Sequence, residues 1–140
     1  MRQKFDEFSF QTTKIAKKMH LFLSRNLADL QVTPEQWTIL NIIHQKAPIS
    51  QRELAGLSEK DTPTVNRIID VLQRKNLVIR ETDAVDRRKT LLSLSDKGSE
   101  LTRILQETVE EACKNMFAGF SEQDLQTFAT LLNQIENNIE

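Results

Sequence analysis

Apolar side chains recur at helical intervals along most of this chain, broken by a few capping residues and by one stretch with a different pattern. From Phe5 to about Leu27, the residues Phe8, Ile15, Met19, Phe22 and Leu23 fall at helical spacings with Lys14, Lys17 and Lys18 between them, predicting a long first helix. Thr33-Pro34-Glu35-Gln36 offers a capping hydroxyl, a Pro at the first helical position and a Gln at the third. A second helix is expected to begin there and run through Trp37, Leu40, Ile43 and His44 until Ala47-Pro48-Ile49 stops it. Ser50-Gln51-Arg52-Glu53 repeats the capping spacing and opens a short helix, with Leu54 and Leu57 expected inward before Gly56 and Ser58 break the pattern.

Thr62-Pro63 is a third start of this kind, with Thr62 expected as the cap. Val65, Ile68, Ile69 and Leu72 then fall at i, i+3, i+4 and i+7, one continuous apolar stripe. Opposite it lie Thr64, Asn66, Arg67, Asp70, Gln73 and Arg74, polar and mostly long enough to reach a partner, and Asn76 is a suitable left-handed terminator. The pattern changes next: Leu77 to Arg80 and Thr90 to Leu94 are short β-prone runs flanking the charged segment Glu81 to Lys89, which predicts a hairpin with a long tip. Ser95-Asp96 caps another helix, striped by Leu101, Ile104, Leu105, Val109, Ala112 and Met116. Gly119 interrupts, and Ser121 to Asp124 starts a last helix through Leu125, Phe128, Leu131, Leu132 and Ile135.

The expected fold is therefore mainly α with a small β-hairpin wing, in one domain of 140 residues. Within it, residues 31–98 read as a winged helix-turn-helix, with 1–30 and 99–140 supplying flanking helices. Net charge is −1 and does not by itself announce nucleic acid, but its distribution is uneven. Residues 50–97 carry ten Lys/Arg against eight Asp/Glu, whereas residues 98–140 carry two against eight, so the acidic end is expected to face away from any phosphate partner. With one cysteine, no leader segment and no long apolar run, the chain reads as a reduced, cytoplasmic protein without membrane contact.

In a winged helix-turn-helix the second helix of the motif enters the major groove and the hairpin reaches toward the minor groove or backbone. Thr62, Thr64, Asn66, Arg67 and Arg74 are the candidates on that helix, because short hydroxyls suit phosphates while Asn and Arg suit base edges. The partner implied is double-stranded DNA. The alternative is a helical protein-interaction module that uses the same fold without DNA contact.

The order of elements, with Leu77-Val78 to Arg80, then Asp86-Arg87-Arg88, then Leu92-Ser93-Leu94-Ser95-Asp96-Lys97-Gly98, resembles the multiple-antibiotic-resistance regulator (MarR) family of bacterial transcription factors over nearly the whole chain. That resemblance implies a homodimer whose first and last helices interlock, with two winged units reading a pseudo-palindromic operator, usually as a repressor. It further implies that Arg88 enters the minor groove, held by Asp86, while Arg87 meets phosphate. The aromatic residues Phe5, Phe8, Phe117, Phe120 and Phe128, close to the termini, exceed what residues 30–98 need for a core, and dimerisation accounts for them.

The resemblance also points to a pocket where the dimerisation helices meet the winged unit, with Met19, Phe22, Trp37, Leu40 and His44 as candidate walls for a small aromatic or lipophilic effector. Cys113 has no charged constellation around it and is expected to be inert. His20 and His44 lack partners at ligand spacing, so no metal is expected, and neither a nucleophile-base pairing nor a phosphate loop suggests a cofactor or catalysis.

Overall fold

The structure is a computed structural model that describes residues 2–140, with side chains from Lys4 onward. In chain order the elements are α1 (Arg2–Leu27), a 3-10 turn (Ala28–Leu30), α2 (Pro34–Lys46), β1 (Ile49–Ser50), α3 (Gln51–Ser58), α4 (Thr62–Arg74), β2 (Val78–Thr82), β3 (Thr90–Leu94), α5 (Asp96–Met116) and α6 (Glu122–Ile139).

Local capping chemistry sets most of these boundaries. Thr33 Oγ1 accepts from the Gln36 backbone N–H at 3.1 Å while Gln36 Oε1 accepts from the Thr33 N–H at 3.2 Å, a complete capping box at the head of α2. Ser121 and Asp124 form the same reciprocal pair at α6. Ser50 and Ser95 cap α3 and α5 from their hydroxyls alone. At α4 the expected cap is displaced by one residue. Thr62 is the first helical residue and Asp61 is the cap, its Oδ1 accepting from the Thr64 N–H at 2.8 Å. A carboxylate is the stronger acceptor for the unpaired donors of a helix start, and Pro63 fits the second helical position as well as the first.

Val65, Ile69 and Leu72 of α4 are fully buried, with Ile68 half-buried beside them. They meet Leu27 from α1, Ile39, Leu40 and Ile43 from α2, Leu54 from α3, Leu92 from β3 and Leu105 from α5 in one core. Each such large side chain contributes roughly 1.5–3 kcal/mol by leaving water. Leu57, expected inward, is instead 55% exposed. It lies in the last turn of the eight-residue α3, whose inward positions are taken by Leu54 and Ala55.

The wing is larger than the expected hairpin. β2 and β3 pair antiparallel with Val78 opposite Leu94 and Thr82 opposite Thr90, and β1 adds a third strand by pairing Ile49 with Leu92 and Ser50 with Leu91. The sheet order is β1-β3-β2, so the strand that follows α2 anchors the base of the wing to the head of α3.

α4 ends with Asn76 in the left-handed region at φ 62°, as expected of an Asn terminator. The chain next meets the start of α5: Ser95 N–H donates to Leu77 O at 3.0 Å, and Ser95 Oγ donates to Asn76 O at 2.6 Å. Beyond the core, α1 leaves Phe5, Phe8, Phe10, Ile15 and Leu21 exposed. Every residue of α6 is exposed, including Leu125, Phe128, Leu131, Leu132 and Ile135. Phe117 packs edge-on to Phe120 at 5.6 Å between ring centroids, and at 6.1 Å from Phe128, fixing the corner between α5 and α6.

Candidate nucleic-acid interface

The polar face of α4 stands clear of the core because its apolar stripe is spent inward. Thr62, Arg67, Asp70, Gln73 and Arg74 are exposed, and Thr64 and Asn66 are half-buried. Arg67 Nη2 donates to Thr64 Oγ1 at 3.2 Å, so the two present one hydroxyl-guanidinium unit near the start of the helix. Arg74 lies at the opposite end, its Nε donating to Asp70 O at 3.4 Å.

The wing tip is ordered by its own hydrogen bonds. Asp83 N–H donates to Lys89 O and Lys89 N–H donates to Asp86 O, each at 3.0 Å, which closes the loop between the strands. Asp86 Oδ1 accepts from the Arg88 backbone N–H at 3.0 Å and from Arg88 Nε at 3.2 Å, while the Arg88 side chain remains 92% exposed. The Arg88 guanidinium and then its backbone N–H hold the Asp86 carboxyl below its ordinary pKa of 3.8. Asp86 therefore orients an arginine whose remaining donors face solvent. Arg87 is exposed next to it.

Between α4 and the wing runs a groove of about 550 Å³. Thr62 and Asn66 line it from α4, Gln51 and Arg52 from α3, and Asp86, Arg88 and Lys89 from the wing tip. Four of the residues singled out by sequence, Thr62, Asn66, Asp86 and Arg88, thus share one concave surface. Arg74 does not reach it and sits with Asp70 and Gln73 at the other end of α4.

Several neighbours escaped the sequence reading. Arg52 and Lys89 add positive charge to the groove, and the basic residues there outnumber Asp86. Arg80, in β2, forms an ion pair with Asp70 at 2.7 Å and donates to Gln73 Oε1 at 2.7 Å and to Gln51 Oε1 at 3.4 Å. Gln51 donates to Asn66 Oδ1. The one signal that could have found Arg80 is its place on a strand otherwise expected to be half-apolar.

The five residues expected to wall an effector pocket do not share one cavity. Met19 and Phe22 line a depression of about 280 Å³ with Ile15, Lys18, Asn115 and Met116. Leu40 is fully buried in the core, Trp37 is half-buried against it, and His44 is exposed. A separate cavity of about 460 Å³ lies between the 3-10 turn, the end of α4 and the start of α5, with Leu30, Val32, Leu77, Leu101 and Ile104 as its apolar walls and Lys75 and Lys97 among its lining. His20 Nε2 is 2.6 Å from Glu35 Oε1. Burial pushes Glu35 up, but the hydrogen bond with His20 and the charges of His20 and Lys60 leave its pKa below the ordinary 4.5. Cys113 is half-buried in α5. Among the described residues, no helix is long and apolar enough to cross a membrane.

Residues 32–90, from the head of α2 to the first residue of β3, match the MarR family. A protein of unknown function from Listeria innocua is 52% identical, with 100% of this chain and 98% of that one covered and a TM-score of 0.77. The S. aureus MepR–DNA complex gives a TM-score of 0.87 at 22% identity, covering 94% of this chain and 98% of its own. A cysteine-to-serine variant of E. coli MarR complexed with operator DNA gives 0.86 at 21% identity, covering 94% and 95%. The helix order, the three-stranded wing and these similarities agree, and the chain belongs to the MarR family of winged-helix proteins.

Proposed function

We propose that this protein is a DNA-binding transcription regulator that acts as a homodimer on a pseudo-palindromic operator, as a repressor. The observation that carries the reading is the shared groove, where Thr62 and Asn66 of α4 and the Asp86-held Arg88 of the wing lie together with Arg52 and Lys89. A helix presenting Asn and Arg suits the major groove. An exposed guanidinium fixed in one pose by a carboxylate suits a narrow minor groove. Thr62, Thr64, Arg74 and Arg87 are the phosphate-facing members, with Asn66 and Arg67 reading bases. The structural neighbours described with DNA bound support the same reading.

One copy reads one half-site. The apolar faces left exposed on α1 and α6, Phe5 and Phe8 on one and Leu125, Phe128, Leu132 and Ile135 on the other, are the surfaces a second copy covers. Dimerisation through them places two α4 helices on successive major grooves, about 34–36 Å apart. An effector bound beside Met19 and Phe22, where α1 meets α5, acts by changing that spacing. Selection of bound duplexes from genomic fragments tests the reading: a two-fold-related motif is expected, and retention of no duplex would leave an interaction module in its place.

A further inference from the structure

Arg80 does more than brace the wing. Its guanidinium is anchored 2.7 Å from Asp70 Oδ1 and 2.7 Å from Gln73 Oε1, both on α4, and its Nε donates to Gln51 Oε1 at the head of α3. Gln51 passes the contact on, donating from Nε2 to Asn66 Oδ1. A guanidinium has donors and no acceptor, whereas an amide can face either way. Arg80 therefore fixes the direction of the whole relay. Gln51 must turn its oxygen toward Arg80 and its nitrogen toward Asn66, so Asn66 is met at its oxygen. Among the described residues, Asn66 Nδ2 donates to no protein partner, and Asn66 and Gln51 both line the groove between α4 and the wing.

We propose that Gln51 and Arg80 are positioning residues for base choice: they hold Asn66 as a hydrogen-bond donor, so that it selects the keto bases guanine and thymine over adenine and cytosine. The inference rests on the DNA-binding reading above. An unconstrained Asn pairs with adenine through two bonds, donating to N7 and accepting from the N6 amino group. With its oxygen already accepting from Gln51, Asn66 keeps one lone pair for that amino group, while both Nδ2 hydrogens stay free to donate. Guanine offers N7 and O6, and thymine offers O4, acceptors alone in each case. Cytosine offers only a donor and is disfavoured most.

The test is selection from a randomised duplex pool by the 140-residue chain and by Asn66→Ala, Gln51→Ala and Arg80→Lys. Asn66→Ala identifies the position Asn66 reads, as the one whose preference flattens. Guanine or thymine is expected there for the parent. Gln51→Ala releases the Asn66 oxygen and should raise adenine relative to guanine at that position by roughly fivefold or more, the lower end of what one correct base contact is worth. Arg80→Lys, still a donor alone, should keep the keto preference. Unchanged preferences elsewhere in the motif certify that each variant is folded, and a shift confined to the Asn66 position is an effect that a merely structural role for Gln51 would not produce. Adenine or cytosine at that position for the parent, or an unshifted preference in Gln51→Ala, overturns the relay while leaving DNA binding intact. No position flattened by Asn66→Ala removes Asn66 from base reading and the relay with it. No duplex retained by the parent overturns the DNA-binding reading itself.

Discussion

Gly98, in the first turn of α5, lies so close to the Leu77 backbone that a β-carbon there would sit 2.0 Å from the Leu77 carbonyl oxygen. The same oxygen accepts the Ser95 N–H at 3.0 Å, so α5 begins by pressing its backbone onto the junction of α4 and β2. The obstruction is backbone on both sides and cannot rotate away. Gly98→Ala is expected to lower stability by about 1–3 kcal/mol or more, as overpacking does. Gly56, exposed in α3 with nothing within 4 Å of a built β-carbon, is the opposite case. Gly56→Ala should stabilise by about 0.5–1 kcal/mol through helix propensity. Denaturant midpoints of the two variants should move in opposite directions, and a Gly98→Ala protein as stable as the parent would contradict the packing described.

The wing clamp makes a prediction about pH. Because the folded pKa of Asp86 is depressed, the clamp's contribution is fully present above the ordinary carboxylate value of 3.8 and is lost as pH falls through the lower folded value. The Arg88 pose should therefore be constant across the neutral range. Carboxyl chemical shifts followed during an acid titration should place Asp86 below 3.8, and Arg88→Ala should return it toward that value. An Asp86 titration indifferent to Arg88 would mean that the clamp does not persist in solution.

Dimerisation through the terminal helices is testable at Leu132, 43% exposed on the apolar face of α6. Leu132→Glu is expected to give a folded monomer by sedimentation. Losing the second half-site should cost roughly a hundredfold or more in operator affinity, the scale of two linked binding events. A Leu132→Glu protein that remains dimeric and binds as the parent does would place the interface elsewhere.

Base reading should be separable from backbone contact. Arg67→Ala is expected to relax sequence preference, with about 1–3 kcal/mol lost for a good bidentate contact. Arg87→Ala should weaken all duplexes alike and make the slope of log K against log salt shallower by about 0.9. Competition between the selected operator and an unrelated duplex distinguishes the two. Unchanged discrimination in Arg67→Ala would remove that residue from direct readout.

What the sequence reveals follows the range of the interaction involved. Thr33 with Gln36, and Ser121 with Asp124, are three residues apart, and the helices begin where those pairs place them. Asn76 ends α4 as its tolerance of positive φ suggests. At α4, however, Asp61 and Thr62 both satisfy the local pattern, and only geometry decides for the carboxylate. The third strand escapes because Ile49-Ser50 acquires strand character from pairing with Leu91 and Leu92, some forty residues away. Arg80 escapes for the same reason: its partners Gln51, Asp70 and Gln73 meet only when α3, α4 and β2 converge. At the wing, by contrast, Asp86 and Arg88 are two residues apart on a hairpin tip, and their hydrogen bond was open to inference. The residues expected to wall a pocket divide between the depression at Met19 and Phe22 and the core, where Leu40 lies, because helical spacing does not separate a wall residue from a core residue.

A joint grip of α4 and the wing on duplex DNA is read from the affinity of the parent and of Arg88→Ala for a selected operator, measured across a salt series. The parent should lose affinity with a slope of about −0.9 for each phosphate neutralised. Arg88→Ala should bind at least roughly tenfold more weakly at every salt concentration, the effect of about 1.4 kcal/mol, with an unchanged melting temperature. Equal affinity of the two proteins would remove the wing from the DNA contact, and binding by the parent that does not respond to salt would remove the phosphate contacts.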